Sequence, residues 1–292
     1  MTRTDALLRL RAPAKVNLTL HILGRREDGY HELDSLCAFA GAADHLCFQP
    51  GPPLTLAVTG PTAVSAGPEA DNLVQRAAKA LAALAPGLRL GAFHLHKTLP
   101  VAAGLGGGSS DAAAAIRALA LANGIGLDDP RLMAAARASG SDVPVCLDPK
   151  ARLMQGAGER VGPGLGMRPL PAVLVNPRVA VPTPQVFAAL GLARGAGANT
   201  GPPLDLNLLK SDPFRALAQA RNDMQPAAQR LAPAIGETLD LISATPGVRL
   251  ARMSGSGATC FGLYEDRHAA ARAARALRAA RPAWWVRATL LR

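Results

Sequence analysis

The feature that most constrains this chain is a glycine-rich segment between a strand-like run and a helix-like run. Four of the five residues at positions 104–108 are glycine. Residues 92–97 before them alternate apolar and polar side chains, and residues 112–121 after them carry apolar side chains at helical spacing. Glycine lets backbone N–H groups approach a ligand, and a helix start attracts anions. The alternative is a flexible linker or tight turn, but the flanking strand and helix favour a phosphate-binding loop.

The common nucleotide-binding signatures are absent from this segment. A Walker A loop needs Gly-Lys followed by Ser or Thr, and the chain contains no Gly-Lys dipeptide. The dinucleotide fingerprint Gly-x-Gly-x-x-Gly also fails, because Ser109 stands where its third glycine would be. Neither His-Arg-Asp nor Asp-Phe-Gly occurs, which excludes the protein-kinase signature set.

The glycine-rich segment instead carries a motif that differs from these signatures. Residues 100–110 read Pro-x-x-x-Gly-Leu-Gly-Gly-Gly-Ser-Ser, which resembles the phosphate loop of the GHMP kinases, a family of small-molecule kinases. Residues 12–20 resemble the first motif of that family, and residues 252–260 resemble its third, a glycine turn that packs beside the phosphate loop. Residues 28–33 and 140–144 resemble more narrowly one member, whose substrate is a methylerythritol linked to cytidine diphosphate. The motif order matches the family from about residue 10 to residue 265.

The resemblance implies an α+β chain with the two-lobed GHMP kinase fold. In that fold the N-terminal lobe is like domain 2 of ribosomal protein S5, and the C-terminal lobe is ferredoxin-like. We therefore expect an ATP-binding domain over residues 1–160 and a second GHMP kinase domain over residues 161–292. A length of 292 residues is above the size at which single cores usually stop growing, and glycine and proline concentrate between positions 156 and 166.

The same resemblance implies a reaction and two catalytic residues. The reaction is ATP-dependent phosphorylation of a hydroxyl of the cytidine diphosphate-linked methylerythritol to its 2-phosphate and ADP, a step of non-mevalonate isoprenoid synthesis. Asp142 would accept or orient the hydroxyl proton, and Lys15 would place a cation beside Asp142 and the γ-phosphate and stabilise the transferred charge. Without the resemblance, Asp142 would be better explained as a turn residue after a helix, and Lys15 as a surface lysine. The apolar residues on either side of Lys15 make full exposure of its side chain unexpected.

Binding residues are carried over from the family motifs. Those expected at ATP are Pro100, Val101, Ala102, Ala103, Gly104, Leu105, Gly106, Gly107, Gly108, Ser109 and Ser110. Those expected at the substrate are Asn17, Tyr30, His31, Asp142, Thr183, Pro184 and Phe187. Tyr30 and Phe187 would sandwich the cytosine, and His31 would hydrogen-bond the base edge, although the two rings could instead be packing residues. Mg²⁺ is the expected cofactor beside ATP, with Ser110 as its protein contact.

Three positions depart from the family pattern. Ala102 and Ala103 stand where members usually have glycine, and we expect both in ordinary conformations because positive φ is unfavourable for alanine. Asp111 stands where many members have asparagine. It is expected to cap the helix or to approach the metal.

The formal charge of +11 raises nucleic-acid binding as a function of another class. Aromatic residues for base stacking make up only 3% of the chain, and arginines are spread along it. A local row at Arg272, Arg275, Arg278 and Arg281 is predicted to be a solvated helix face. We expect no nucleic-acid partner. A GHMP kinase acting on homoserine or mevalonate is the enzymatic alternative, and it would have no use for a cytosine site.

The remaining signals indicate an ordinary intracellular enzyme. The four cysteines, at positions 37, 47, 146 and 260, form no Cys-x-x-Cys pair and are expected to be buried free thiols. His94 and His96 share one strand face and are expected to face outward without a metal. No apolar run spans a membrane and no signal peptide is recognisable. We expect a cytoplasmic protein without a membrane partner, as a monomer or weak homodimer.

Overall fold

The computed structural model describes residues 5–51, 53–66, 71–198 and 201–292. The chain divides into two compact units that alternate along the sequence. Unit 1 comprises Met1–Lys15, Ala42–Val101 and Gly106–Pro149, and unit 2 comprises Val16–Gly41, Ala102–Leu105 and Lys150–Arg292. The phosphate-loop segment therefore contributes residues to both units. The family's domain division near residue 160 stays a prediction.

The secondary structure is mixed, as the α+β expectation requires. The strands are β1 (Leu8–Asn17), β2 (His21–Arg25), β3 (His31–Pro50), β4 (Thr55–Thr59), β5 (Gly91–His96), β6 (Arg152–Gly156), β7 (Arg160–Val161), β8 (Leu170–Asn176), β9 (Val248–Met253), β10 (Cys260–Tyr264) and β11 (Trp285–Leu291). The helices are α1 (Leu73–Leu84), α2 (Gly107–Ala122), α3 (Pro130–Ser139), α4 (Val143–Cys146), α5 (Thr183–Ala188), α6 (Leu206–Ser211), α7 (Pro213–Gln219), α8 (Gln225–Leu231), α9 (Ala234–Ser243) and α10 (Arg267–Ala280). A short 3₁₀ helix spans Ala63–Ala66.

In unit 1, strand β5 pairs in parallel with β4 and antiparallel with the end of β3. Its alternating sequence buries Phe93 and Leu95 and exposes His94 and His96, which confirms the outward-facing histidines. Helix α2 packs against α1, α3 and α4. Its alanines at 112–115 are fully buried, because small side chains let neighbouring helices approach closely. This packing fixes the helix that follows the glycine segment.

Helix boundaries in unit 1 follow local capping chemistry, with one change. Asp129 before Pro130 predicts a helix that ends at Gly140, and α3 confirms it, with Asp129 accepting the amide of Arg131. The sequence also predicts Asp71 as the N-cap of α1, but the N-cap is Asn72, whose side chain accepts the amide of Val74 at 2.9 Å.

Residues 143–147 form a continuous apolar run after Asp142, which predicts a buried strand, and this prediction is wrong. They form the one-turn helix α4, with Val143 and Pro144 fully buried. A short apolar run does not distinguish a strand from a buried helical turn. Proline is also compatible with the first turn of a helix, where its missing N–H costs nothing.

In unit 2, strand β8 lies between β10 and β11, and β9 pairs with the other edge of β10. Every residue of β8 is buried, in keeping with its continuous apolar sequence. Helices α9 and α10 pack against these strands. The first part of β3 pairs with β2 and β6. The sequence predicts one helix from Pro226 to Leu241, but the structure divides it into α8 and α9, with Pro233 at the N-cap of α9.

Surface and cysteine predictions are largely confirmed. The α10 positions Arg272, Arg275 and Arg278 are exposed opposite a buried alanine face, so the arginine row is solvated, and Arg281 follows as the exposed C-cap. None of the four cysteines forms a disulfide within the described residues, and three are buried, but Cys47 is only half-buried. No helix in the described ranges combines the length and apolar character that a membrane crossing requires.

Candidate active site

Lys15 and Asp142 form an ion pair in unit 1. The Lys15 Nζ atom lies 2.9 Å from Asp142 Oδ2. Lys15 is 3% exposed near the end of β1, which confirms that it is not a surface lysine. Asp142 is held in the short turn between Gly140, where α3 ends, and the start of α4. Its side chain remains 34% exposed, so the carboxylate is fixed in position and still accessible to a ligand.

The backbone of Gly106 lies directly against this pair. A Cβ atom built at Gly106 would be 3.0 Å from Lys15 Cε and 3.8 Å from Asp142 Oδ2. Gly106 is also the N-cap of α2, with a φ of +57° and no side-chain cap. Two constraints therefore require glycine at position 106: the left-handed backbone conformation and the closeness of the Lys15 side chain. The ion pair lies at the start of a 16-residue helix.

The first turn of α2 has the features of an anion site. Backbone amides at a helix start lack intrahelical acceptors, and the helix dipole favours negative charge there. Ser110 lies in this turn, is fully buried, and its Oγ has no hydrogen-bond partner among the described residues. A buried hydroxyl without a partner is uncommon in folded proteins. A ligand oxygen or a cation at this turn would satisfy it.

Asp111 does not cap the helix, contrary to one of the two roles expected for it. It is the fifth residue of α2 and is buried, with Oδ2 2.7 Å from Lys97 Nζ. Lys97 Nζ also lies 2.6 Å from Asp44 Oδ2. The sequence interpretation missed both Asp44 and Lys97. Asp111 could have indicated that a buried basic residue lies nearby, because an acid among buried alanines needs a buried counter-charge.

Ala102 adopts the backbone conformation that was expected not to occur. Its φ is +50°, whereas Ala103 has an ordinary negative φ as predicted. Tertiary contacts of unit 2 hold the segment in this shape, since the amide of Thr259 donates to the Ala103 carbonyl at 3.1 Å. The left-handed conformation costs an alanine about 1–2 kcal/mol. Local preference is thus overridden by the glycine turn that packs on the segment.

That turn, residues 254–257, packs against Gly104 as the third family motif predicts. The Ser254 hydroxyl donates to the Gly104 carbonyl at 2.8 Å and accepts the backbone amide of Asn17 at 3.1 Å. A Cβ at Gly104 would lie 2.3 Å from the Ser254 carbonyl oxygen. Ser254 therefore joins the loop segment to the segment that carries Asn17. The sequence interpretation did not single it out.

Asn17 is buried, and its side-chain amide is oriented by a serine. Its Nδ2 donates to Ser35 Oγ at 2.7 Å, and Ser35 Oγ donates to the Thr19 carbonyl at 2.5 Å. Because the donor end of the amide is held by Ser35, the side chain has one defined orientation. Ser35 is a second residue that sequence patterns did not indicate.

The aromatic residues of unit 2 are arranged differently from the expected sandwich. The rings of His31 and Phe187 stack with centroids 4.3 Å apart, and Tyr30 is 61% exposed. The Nε2 atom of His31 is buried without a hydrogen-bond partner in the described structure. Burial lowers the pKa of His31, and the charge of Arg25 lowers it further. His31 is consequently a neutral ring with an unsatisfied polar edge, beside an aromatic face.

Thr183 and Pro184 begin helix α5, which carries Phe187 four residues after Thr183. Residues separated by four lie on the same face of a helix. The Thr183 hydroxyl lies 2.7 Å from the hydroxyl of Ser256 in the turn at 254–257. These expected substrate residues are therefore linked to the same turn that contacts Gly104.

Known proteins match the chain over its whole length. The GHMP kinases N terminal domain matches residues 72–148, and the GHMP kinases C terminal domain matches residues 208–283. The 4-diphosphocytidyl-2-C-methyl-D-erythritol kinase of Methylobacterium radiotolerans is 61% identical over 290 residues, which cover 98% of this chain and 99% of that protein.

Solved structures agree with these matches. A crystal structure of 4-(cytidine 5'-diphospho)-2C-methyl-D-erythritol kinase superposes with a TM-score of 0.78 and 37% identity, covering 97% of this chain and 99% of the other. The homoserine kinase of Cytophaga hutchinsonii superposes with a TM-score of 0.70 and 18% identity, covering 99% and 96%. That second likeness concerns the fold alone. The chain therefore belongs to the GHMP kinase family and, within it, to the 4-diphosphocytidyl-2-C-methyl-D-erythritol kinases.

Proposed function

We propose that the chain transfers the γ-phosphoryl group of ATP to a hydroxyl of 4-diphosphocytidyl-2-C-methyl-D-erythritol, giving the 2-phosphate and ADP. The observation that carries the chemistry is the Lys15–Asp142 ion pair against the backbone of Gly106. It brings an accessible carboxylate and a buried cation to the start of a helix that attracts phosphate. Phosphoryl transfer needs little more than such positioning and charge stabilisation.

Asp142 and Lys15 have different roles in the phosphoryl transfer. The Asp142 carboxylate accepts a hydrogen bond from the substrate hydroxyl and orients its oxygen toward the γ-phosphorus, taking the proton as the bond forms. Lys15 holds Asp142 in place through the 2.9 Å contact and stabilises negative charge on the transferred group. Because Lys15 is buried, its charge is screened less by water than that of a surface lysine.

The start of α2 binds the phosphates of ATP. The glycines at 106–108 leave its first amides open, and Ser110 contributes a buried hydroxyl. Mg²⁺ would neutralise charge on the β- and γ-phosphates, and Ser110 Oγ fits as its protein ligand because Mg²⁺ takes oxygen ligands and retains several waters. The described residues contain no group of three His, Cys, Asp or Glu side chains that could hold a metal by themselves.

Unit 2 supplies the cytidine-recognition residues. Stacking on Phe187 leaves the buried Nε2 of His31 as the polar atom for a base edge. A base has several donors and acceptors, so one pairs with this atom and relieves the cost of an unsatisfied group. Tyr30 is exposed and would cover the other face of the base. Asn17 contacts the methylerythritol hydroxyls, and Thr183 and Pro184 position Phe187.

The test is ADP release in the presence of Mg²⁺ and ATP. Parallel reactions offer the diphosphocytidyl substrate, homoserine and mevalonate to the wild type, to Asp142→Asn and to Asp128→Asn. Asp128 is an exposed acid of unit 1 and serves as the matched control. We expect turnover only with the diphosphocytidyl substrate, a loss of at least about 100-fold in Asp142→Asn, and no loss in Asp128→Asn. Turnover with homoserine or mevalonate, or full activity of Asp142→Asn, would overturn the proposal.

A further inference from the structure

The side-chain amide of Asn17 lies against polar atoms of strand β3 that determine which of its two ends faces the strand. Asn17 is 1% exposed, and Ser35 and Cys37 are fully buried. The Asn17 Nδ2 atom donates to Ser35 Oγ at 2.7 Å and to Cys37 Sγ at 3.5 Å. Residues two apart in a strand lie on the same face. Since an amide nitrogen carries two protons, both protons of Asn17 Nδ2 are directed at this face of β3.

Ser35 acts toward Asn17 as an acceptor. A serine hydroxyl has one proton, and Ser35 Oγ donates it to the Thr19 carbonyl at 2.5 Å. This hydrogen bond cannot be reversed, because a carbonyl oxygen has no proton to donate. The Ser35 oxygen therefore needs an N–H group from Asn17, and an amide turned over by 180° would place two acceptor oxygens against each other. Ser35 thus sets the polarity of the Asn17 side chain.

The carbonyl end of the Asn17 amide consequently points away from β3, toward the glycine turn at 254–257. A Cβ built on Gly255 would lie 3.3 Å from Asn17 Oδ1 and 3.1 Å from the Gly104 carbonyl oxygen. Glycine at position 255, with a φ of +56°, keeps a side chain away from this oxygen. A ligand group that meets Asn17 is therefore offered an acceptor, and it must itself be a donor.

The backbone around this amide is held by hydrogen bonds that do not involve the Ser35 side chain. The backbone amide of Leu36 donates to Thr19 Oγ1 at 2.9 Å. The backbone amide of Asn17 donates to Ser254 Oγ at 3.1 Å. Removal of the Ser35 hydroxyl leaves both hydrogen bonds in place. Its expected effect is loss of the fixed orientation of the Asn17 side chain, with the backbone unmoved.

We propose that Ser35 is a positioning residue for the kinase reaction, which fixes the Asn17 amide so that Oδ1 accepts a hydrogen bond from a hydroxyl of the methylerythritol unit. This inference rests on the proposed function, in which Asn17 contacts those hydroxyls. It adds that the substrate group at this position must be a free hydroxyl. A phosphate, carboxylate or ether oxygen has no proton for Oδ1, and two acceptors facing each other in a buried site are unfavourable.

The experiment is a double-mutant cycle in steady-state kinetics. ADP release with Mg²⁺, ATP and the diphosphocytidyl substrate is measured for the wild type, Ser35→Ala, Asn17→Ala and the variant with both substitutions. We expect kcat/KM for the diphosphocytidyl substrate to fall about 5- to 10-fold in Ser35→Ala, the value of one hydrogen bond, with the KM for ATP unchanged. In the Asn17→Ala background, Ser35→Ala should lower kcat/KM by less than about 2-fold, because residues that act through one contact are not additive.

A matched control removes a buried hydroxyl from a different element of unit 2. Thr238 is fully buried in α9, and its hydroxyl donates to the Ala234 carbonyl at 2.7 Å, as that of Ser35 does to the Thr19 carbonyl. Thr238→Val removes this hydrogen bond and keeps a side chain of similar shape. It should lower the melting temperature and leave kcat/KM unchanged. An equal fall of kcat/KM in Thr238→Val and Ser35→Ala would overturn the inference, since loss of any buried hydroxyl would then explain the kinetics.

The outcomes separate this inference from the proposed function. Turnover by the wild type with additive losses in the two single variants, or with full activity of Ser35→Ala, overturns the inference alone. Absence of turnover by the wild type overturns the proposed function and this inference with it. If either single variant does not fold, as judged by its melting curve, side-chain amide exchange in the wild type, followed by NMR, decides. The Asn17 Nδ2 protons should exchange with water far more slowly than those of the exposed Asn207, and equal rates contradict the fixed orientation.

Discussion

At the scale of single residues, the candidate site depends on polar atoms that the folded chain leaves in one defined orientation. His31 is the clearest case. Its ring is stacked on Phe187, its Nε2 is buried without a partner in the described structure, and its pKa is lowered by burial and by Arg25. A lowered pKa means that His31 is neutral at and above neutral pH. It can therefore meet a neutral base edge without bringing a charge.

Replacement of His31 by Phe should weaken recognition of the cytidine substrate while leaving ATP use intact. We expect the KM for the diphosphocytidyl substrate to rise about 10-fold or more, the value of one buried hydrogen bond, with little change in the KM for ATP. The exposed His94→Phe serves as control. Because His31 stays neutral, the wild-type KM for this substrate should not change between about pH 7 and pH 8. Steady-state kinetics that show equal KM values in both variants would contradict the assignment.

At the scale of elements, the phosphate loop is a segment whose shape is imposed on it by its neighbours. Ala102 has a φ of +50°, a value that is unfavourable for alanine. It keeps this value because the carbonyls of Ala103 and Gly104 accept hydrogen bonds from Thr259 and Ser254. The one-turn helix α4 is a similar case, since burial of Val143 and Pro144 decides its form. Elements with clear periodicity, such as β5 and α2, follow their sequence instead.

Substitution of Ala102 by glycine should stabilise the protein. It removes the strain of a left-handed alanine, which is about 1–2 kcal/mol. It also raises the conformational entropy of the unfolded chain, which costs about 0.5–1 kcal/mol of stability. The net gain in the free energy of unfolding should be up to about 1.5 kcal/mol. The matched control is Ala103→Gly, where φ is negative and the same change should cost about 0.5–1 kcal/mol. Urea unfolding measures both, and destabilisation by Ala102→Gly would show that its backbone is not strained.

At the scale of the whole molecule, the distribution of charge and the scarcity of aromatic residues argue against a nucleic-acid-binding protein. The formal charge of +11 is carried partly by a solvated arginine face on α10, and aromatic residues are scarce. Comparison with known kinases confirms the family and the α+β fold. The cytoplasmic location, the oligomeric state and the absence of a nucleic-acid partner stay predictions.

Binding to nucleic acid should therefore be weak and unspecific. We expect a fluorescence-anisotropy titration with a mixed-sequence oligonucleotide to show only a shift that disappears between about 50 and 200 mM salt, as for non-specific phosphate contacts. The diphosphocytidyl substrate should not compete with it. A salt-resistant complex that the substrate displaces would instead support nucleic-acid binding as a function of this chain.

The sequence by itself determined the features that depend on residues close together along the chain. The glycine loop, its flanking strand and helix, the family and the candidates Lys15 and Asp142 all come from short motifs, because backbone conformation and capping depend on near neighbours. The Lys15–Asp142 contact was also implied by the family motifs.

Only the tertiary structure decided which distant residues meet. The Asp44–Lys97–Asp111 cluster, the stack of His31 on Phe187, the hydrogen bonds of Asn17 with Ser35 and Ser254, and the positive φ of Ala102 all depend on contacts between separate segments. Local periodicity carries no information about such pairs, because burial and charge pairing are properties of the packed chain. For that reason the sequence indicated a candidate phosphate-binding loop, and packing alone determined which buried charges meet beside it.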